Sequence, residues 1–525
     1  MPMDVVGGRS LYSVFAEFAE QRPDREWLGF ERADGEVTRW TYGEFLHSVH
    51  RSVNLLTGLG INKGDAFDLH LSNHPASVQL ILAASYLGAV AMPTNPISTV
   101  DELTYLVGHS ESCAVFTDPG CLDVVDQVAE ALSVSQVLVC DDGSGVPEGY
   151  RGYDLELGEQ VAVPNASRVA TDGLVQLLYT SGTTARPKGV MLTNSCLIYG
   201  AEVFRAATGL RNDDCHLISL PLYHAAAQCH ALWPSLVSGC QVALMSRFSA
   251  SRFFEQAVTY EGTMAALFGA PLRMLLNQPE RDTDTRHEIR NITFAQSLTE
   301  SQYEEWHRRF GAPLQQLWGM TETCSLPIMS PLSGERRLKA MGKPVLGYEV
   351  KVVDGLGEET GVGDPGEVIV KGVPGKTLML GYLKNEEATS ETLREYPDGV
   401  WLHSGDTVST DDDGYFYFLD RGKDLIKRAG ENISSIEVES VIMDCEGVLD
   451  VCVVGVPDAV RDESLVAVVV SANGTTVSAE SVVTFCEEKL AHFKVPDRVV
   501  FRDVLPRTSV GKVQKQVIRE WLSES

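Results

Sequence analysis

The stretch that decides the reading is Leu177-Leu178-Tyr179-Thr180-Ser181-Gly182-Thr183-Thr184-Ala185-Arg186-Pro187-Lys188-Gly189-Val190. An apolar strand runs into a tight succession of small and hydroxylated residues, turns at Pro-Lys-Gly, and resumes a β-like pattern. Backbone N–H groups freed by glycine, four hydroxyls and a lysine are the ingredients of a polyphosphate cradle. Composition alone equally describes a Ser/Thr/Gly-rich surface loop, so the surroundings must decide between the two.

Outward from that loop, residues 11 to 110 alternate helix-like and strand-like patterns, with Ser10 and Thr41 as candidate helix caps. The apolar run Val78–Pro93 is interrupted by Ser85, Tyr86 and Gly88, too short for a membrane span, and reads as a buried helix followed by a strand. Such alternation predicts an α/β architecture with a largely parallel sheet. Between Lys343 and Asp420, short β runs (Glu349–Val353, Gly366–Lys371, Tyr415–Leu419) lie between Gly, Pro and Asp turns and predict antiparallel structure. After Arg421 the texture is mixed: a helix over Ser435–Met443, strands around Val448–Val456 and Leu465–Val470, and a helix over Ser478–Ala491. A boundary near Asp420–Lys423 divides the chain into residues 1–422 and 423–525.

With 43 Lys+Arg against 72 Asp+Glu in 525 residues, the net charge is −29, which disfavours nucleic acid and anionic membrane surfaces as partners. The start, Met1-Pro-Met-Asp-Val-Val-Gly-Gly-Arg9, lacks a targeting pattern, and eleven scattered cysteines without a C-x-x-C pair suit a reducing cytoplasm. Three patterns are decoys. Gly361-Val-Gly-Asp-Pro-Gly366 matches G-x-G-x-x-G but contains a proline and precedes a strand, so it reads as a hairpin turn. Gly375-Lys376-Thr377 lacks the earlier glycine of a Walker loop, because Val370 stands there. Cys215, His216, His224, Cys229, His230 and Cys240 have no zinc-finger spacing and read as core residues.

The order of residues in the loop resembles the phosphate loop of the adenylate-forming superfamily of acyl-CoA synthetases, amino-acid adenylation domains and luciferases. Four further motifs follow in the family's order. Trp318-Gly319-Met320-Thr321-Glu322 resembles its aromatic-Gly-x-Thr-Glu motif, and Ser404-Gly405-Asp406 its Thr/Ser-Gly-Asp motif. Asp420-Arg421-Gly422-Lys423 through Gly430-Glu431-Asn432-Ile433 resembles the hinge and following loop, and Pro506–Lys512 the C-terminal catalytic-lysine motif. The resemblance implies a large α/β domain with a distorted β-barrel portion (residues 1–422), joined by a hinge to a small mobile α+β lid (residues 423–525).

It also implies the chemistry: a carboxylate attacks the α-phosphorus of ATP, and the acyl group then passes from AMP to a thiol. In that scheme Thr180, Ser181, Gly182, Thr183, Thr184 and Lys188 hold phosphates, and Glu322, beside Thr321, ligates Mg²⁺. Trp318 and Gly319 meet adenine, Asp406 and Arg421 take the ribose hydroxyls, and Lys512 bridges the carboxylate and α-phosphate. Lys423 is the hinge, and Gly430 with Glu431 enters for the coenzyme A step. His224, Ala227, Gln296, Ser297 and Met320 fall in the acyl pocket. The sequence departs from the family at Ala185, where the loop usually has glycine, and at Phe294–Thr299, which lacks the usual glycines.

His224-Ala225-Ala226-Ala227-Gln228 carries no carboxylate for a substrate amine, so an amino acid is not the expected substrate. Several stretches, including Met320–Thr323 and Phe493–Pro496, look most like the crotonobetaine/carnitine-CoA ligase branch. Short alanines and no acidic residue but Glu322 in the pocket segments instead favour a bulky, largely apolar carboxylic acid. The expected cofactors are ATP, Mg²⁺ and coenzyme A. The alternatives are an enzyme that loads a separate acyl carrier protein and a non-catalytic nucleotide-binding relative; the joint presence of Glu322, Asp406, Arg421 and Lys512 argues against the last.

Overall fold

A computed structural model describes residues 5–166, 173–180, 186–295, 298–421, 426–428, 431–458, 462–472, 477–507 and 513–523; for Arg421, Lys427, Glu431, Asn432, Asp462 and Ser523 it describes the backbone alone. Among these residues the strands form three sheets. The first is built on the parallel run Leu314–Trp318, Asn291–Ala295, Met264–Phe268, Cys215–Ile218, Gln241–Met245 and Glu26–Glu31. Beyond Leu314–Trp318 it continues antiparallel through Ile328–Met329, Ala340–Pro344, Phe416–Arg421, Gly399–Thr410, Gly366–Gly372 and Glu349–Val353. The expected β-barrel portion is thus an open antiparallel extension of this sheet, and its strand order does not close on itself among the described residues.

The second sheet runs Gly381–Tyr382, Lys188–Thr193, Leu174–Thr180, Val90–Pro93, Ala66–His70, Ala114–Thr117, Gln136–Val139 and Arg151–Gly152. Helix Pro75–Leu87 is buried along its whole length, as an apolar sequence on every face requires. Pro75 opens it behind a His74 cap, and Gly88 closes it in the left-handed conformation that glycine adopts without strain. Ser10 and Thr41 cap their helices with reciprocal capping boxes, as their spacing predicts. The predicted turn at Gly361–Gly366 joins the antiparallel strands Glu349–Val353 and Gly366–Gly372.

The third sheet carries Glu431–Ile433, Ile426–Arg428, Asp462–Ser471, Val448–Asp458 and Arg498–Phe501, with helices Ser435–Met443 and Ala479–Lys489. Its own core includes Ile426, Ile433, Val438, Val453 and Leu465. Helix Ser435–Met443 is fastened to the large sheet at its first turn. Buried Asp420 accepts from the Ser435 backbone N–H at 2.8 Å and from its hydroxyl at 2.6 Å, and the Ser434 hydroxyl donates to the Leu419 carbonyl. No helix among the described residues is long and apolar enough to cross a membrane.

Candidate active site

A cleft of about 740 Å³ opens where the two large sheets present their strand ends. Pro93, Phe268 and Ala295 are the last residues of parallel strands, and Gly319–Glu322 follow the end of another; all line the cleft. Open α/β sheets bind ligands at this carboxyl edge, because backbone N–H groups and loop side chains converge there.

Gly319 allows the chain to pass close by Ser325. A Cβ at that position would meet the Ser325 carbonyl oxygen at 2.5 Å. The turn that follows buries Glu322 on the cleft wall. The Tyr382 hydroxyl donates to Glu322 Oε1 at 2.8 Å, and Lys188 Nζ sits 4.8 Å from the centroid of the same Tyr382 ring. One tyrosine therefore joins the carboxylate of the Thr-Glu motif to the lysine of the phosphate loop. Burial, and then the neighbouring Glu322 carboxylate, push the Tyr382 phenol far up, so it remains a donor. Sequence reading missed Tyr382: it lies in the two-residue strand Gly381–Tyr382, which pairs with Val190 and Met191 from far earlier in the chain.

Asp406 also lines the cleft, and its carboxylate accepts from Trp318 Nε1 at 2.9 Å. Trp318 is buried in the core and is not among the cleft-lining residues, so the structure shows it orienting Asp406. Gly405, at φ +72°, lies at the bulge within strand Gly399–Thr410 just before Asp406, and its N–H donates to Glu367 at 2.8 Å. The other Glu367 oxygen pairs with His403 at 2.8 Å. Burial raises the Glu367 pKa, but the His403 and Gly405 hydrogen bonds outweigh it and leave a net lowering. Arg421 is placed opposite Asp406 across the strand pair.

Of the other expected phosphate contacts, Thr180 and Lys188 line the cleft, while Ser181, Gly182, Thr183, Thr184 and Ala185 lie outside the described residues. Just after them, the Tyr105 hydroxyl donates to the Pro187 carbonyl at 3.0 Å and Arg186 lies 4.9 Å over the Tyr105 ring, holding the end of the loop. Lys423, Gly430, Lys512, Gln296 and Ser297 also lie outside the described residues.

Of the residues assigned to the acyl pocket, His224 and Met320 line the cleft. Ala227 does not: it is fully buried, turned into the core, while Ala225, Ala226, Cys229 and His230 face the cavity. The reason is local. The helix begun at Ala225–Ala227 widens to a π-turn over Gln228–Leu232 before resuming at Trp233–Ser238, which changes the residues presented on each face. His230 is thus a cavity residue rather than the core histidine its spacing predicts. Cys215, His216, Cys229 and Cys240 are buried, and no three His, Cys, Asp or Glu side chains among the described residues are placed to hold a metal by themselves.

The AMP-binding enzyme family model matches residues 15–383, and the AMP-binding enzyme C-terminal domain model matches residues 437–512. A crotonobetaine/carnitine–CoA ligase of Salmonella heidelberg (strain SL476) is 33% identical over 520 residues, covering 98% of this chain and 100% of the relative. ATP-bound MatB from Rhodopseudomonas palustris superposes with a TM-score of 0.86 at 28% identity, covering 98% of this chain and 99% of that one. O-succinylbenzoate coenzyme A synthetase (MenE) from Bacillus subtilis, in complex with AMP, gives 0.81 at 27% identity, covering 97% and 98%. The chain belongs to the AMP-binding enzyme family and is an AMP-forming ligase.

Proposed function

We propose that the chain is an acyl-CoA synthetase that activates a bulky, largely apolar carboxylic acid, with residues 1–422 as the adenylating domain and 423–525 as its lid. It uses ATP, Mg²⁺ and coenzyme A, and releases AMP and pyrophosphate. The observation that carries this reading is the arrangement of Lys188, Tyr382, Glu322 and Asp406 around one cleft at the strand ends.

A carboxylate oxygen attacks the α-phosphorus, the bond to the β-phosphate breaks, and pyrophosphate departs. Two anions must meet, so positioning and charge neutralisation dominate. Thr180 and Lys188, with Ser181, Gly182, Thr183 and Thr184, hold the polyphosphate, and Lys512 spans the carboxylate and α-phosphate. Asp406 and Arg421 take the ribose hydroxyls; a carboxylate accepts two such bonds, and Trp318 keeps it aimed. Glu322 offers a hard oxygen donor at the cleft wall, which fits Mg²⁺ completed by substrate phosphates, and Thr321 stands beside it. Bound there, the ion would neutralise phosphate charge. In the second step the thiol attacks the acyl carbon and AMP leaves. The lid turns about Lys423 so that Gly430 and Glu431 border the thiol's approach.

Five carboxylates line the cleft, Glu102, Glu322, Glu367, Glu391 and Asp406, and none of them lies on the segments that carry Ala225, Ala226, Cys229, Phe268 and Ala295. This supports an uncharged acyl chain over the quaternary ammonium acid of the Salmonella relative. All eleven cysteines are free, which supports a cytoplasmic setting. Mass spectrometry of the protein with ATP, Mg²⁺ and a panel of acids, carnitine and crotonobetaine included, with and without coenzyme A, tests the reading. AMP together with an acyl-CoA mass is expected. An acyl-adenylate that persists despite coenzyme A would redirect it to loading a separate carrier protein.

A further inference from the structure

The π-turn Gln228–Leu232 is pinned from behind: the Gln228 carboxamide accepts from Gln176 Nε2 at 2.8 Å and donates to the Leu222 carbonyl at 2.5 Å. These bonds hold the turn that carries His230. The imidazole itself packs on Phe204, fully buried, whose ring lies parallel to it (planes 4° apart, centroids 6.1 Å). Neither His230 nitrogen has a hydrogen-bond partner among the described residues, and the side chain opens onto the cleft. Burial, and then neighbouring His216, depress the imidazole to about 3, so it is neutral at physiological pH. A neutral imidazole carries one donor and one acceptor.

The lining contributed by the same helix, Ala225, Ala226 and Cys229, is apolar or nearly so, and the strand ends Phe268 and Ala295 are apolar as well. A rigid, neutral donor–acceptor pair in such a lining sets the orientation of a ligand that is otherwise hydrocarbon. We propose that His230 recognises an uncharged hydrogen-bonding substituent, a hydroxyl or a carbonyl, on the acyl part of the substrate acid. The inference rests on the acid-activating reading above and narrows its substrate class from an apolar acid to an apolar acid with one neutral polar group.

The test is acid-dependent pyrophosphate exchange with matched pairs of acids, 3-hydroxy or 3-oxo against unsubstituted alkanoic acids and ring-hydroxylated against unsubstituted aryl acids. Wild type should favour the substituted member of at least one pair by about tenfold or more in kcat/KM, since a site built for a polar group discriminates against the analogue that lacks it. His230→Phe keeps the stacking on Phe204 and should bring the two members within about twofold of each other, and His230→Gln should restore part of the preference. His230→Leu gives the same readout should the Phe variant not fold. No preference in any wild-type pair, or a preference that survives in His230→Phe or His230→Leu, overturns the inference while leaving the ligase reading intact. Exchange with none of the acids by folded enzyme overturns both.

Discussion

Tyr382→Phe removes one oxygen from the centre of the cleft and leaves the ring in place. The lost interaction is the 2.8 Å hydrogen bond to Glu322 Oε1, between two buried side chains. Hydrogen bonds to charged groups contribute about 1.5–3 kcal/mol, which corresponds to roughly 10- to 150-fold in rate if the bond is needed to aim the carboxylate in the transition state. The 4.8 Å contact of Lys188 with the ring survives in Phe and is lost in Tyr382→Ala, which should cost a further ~0.5–2 kcal/mol. Pyrophosphate exchange at a series of Mg²⁺ concentrations measures both. The Phe variant should lose rate and require more Mg²⁺, and the Ala variant should lose more rate still. Exchange within about twofold of wild type in both variants at every Mg²⁺ concentration would refute the link between Tyr382, Glu322 and Lys188.

Three other outcomes follow from the same account. Lys512→Ala should abolish adenylate formation, read as loss of acid-dependent pyrophosphate exchange; normal exchange would remove Lys512 from the mechanism. Gly430→Leu should slow thioester formation more than exchange, and equal losses in the two steps would count against the loop assignment. Asp68, buried with Oδ1 accepting from Thr94 and Oδ2 unpaired, is raised to about 8 by burial. The folded state then keeps a proton that the unfolded chain releases above its ordinary carboxylate range. Stability therefore falls as pH rises from about 4 to about 8, by up to ~1.4 kcal/mol per pH unit, and levels off above. In Asp68→Asn, denaturant unfolding should show a stability advantage over wild type that grows between pH 6 and pH 8; a constant difference would contradict it.

Much of the fold was legible because its signals are local. Ser10 and Thr41 cap helices through side chains three residues apart, and Ser435–Met443 is a helix over the residues its pattern predicts. The strand Glu349–Val353 is bounded by the turns that marked it. The site was read as an ordered series of motifs, and Thr180, Lys188, Glu322 and Asp406 from three of its stretches line one cleft. What escaped was set by distant pairing. Tyr382 reaches Glu322 only because Gly381–Tyr382 joins the edge of the second sheet against Val190 and Met191. Trp318 reaches Asp406 only because the antiparallel strands extend the first sheet. Ala227 and His230 exchanged their expected environments because a π-turn breaks the 3.6-residue periodicity on which facing arguments depend.

The central claim is that a substrate carboxylate attacks the α-phosphorus of ATP. Acid labelled with ¹⁸O in its carboxylate, ATP, Mg²⁺ and coenzyme A, followed by mass spectrometry of every product, tests it at the level of single atoms. The account predicts AMP carrying one ¹⁸O from the acid, unlabelled pyrophosphate, and an acyl-CoA that retains the other oxygen. Label in phosphate or pyrophosphate, or ADP in place of AMP, would contradict it.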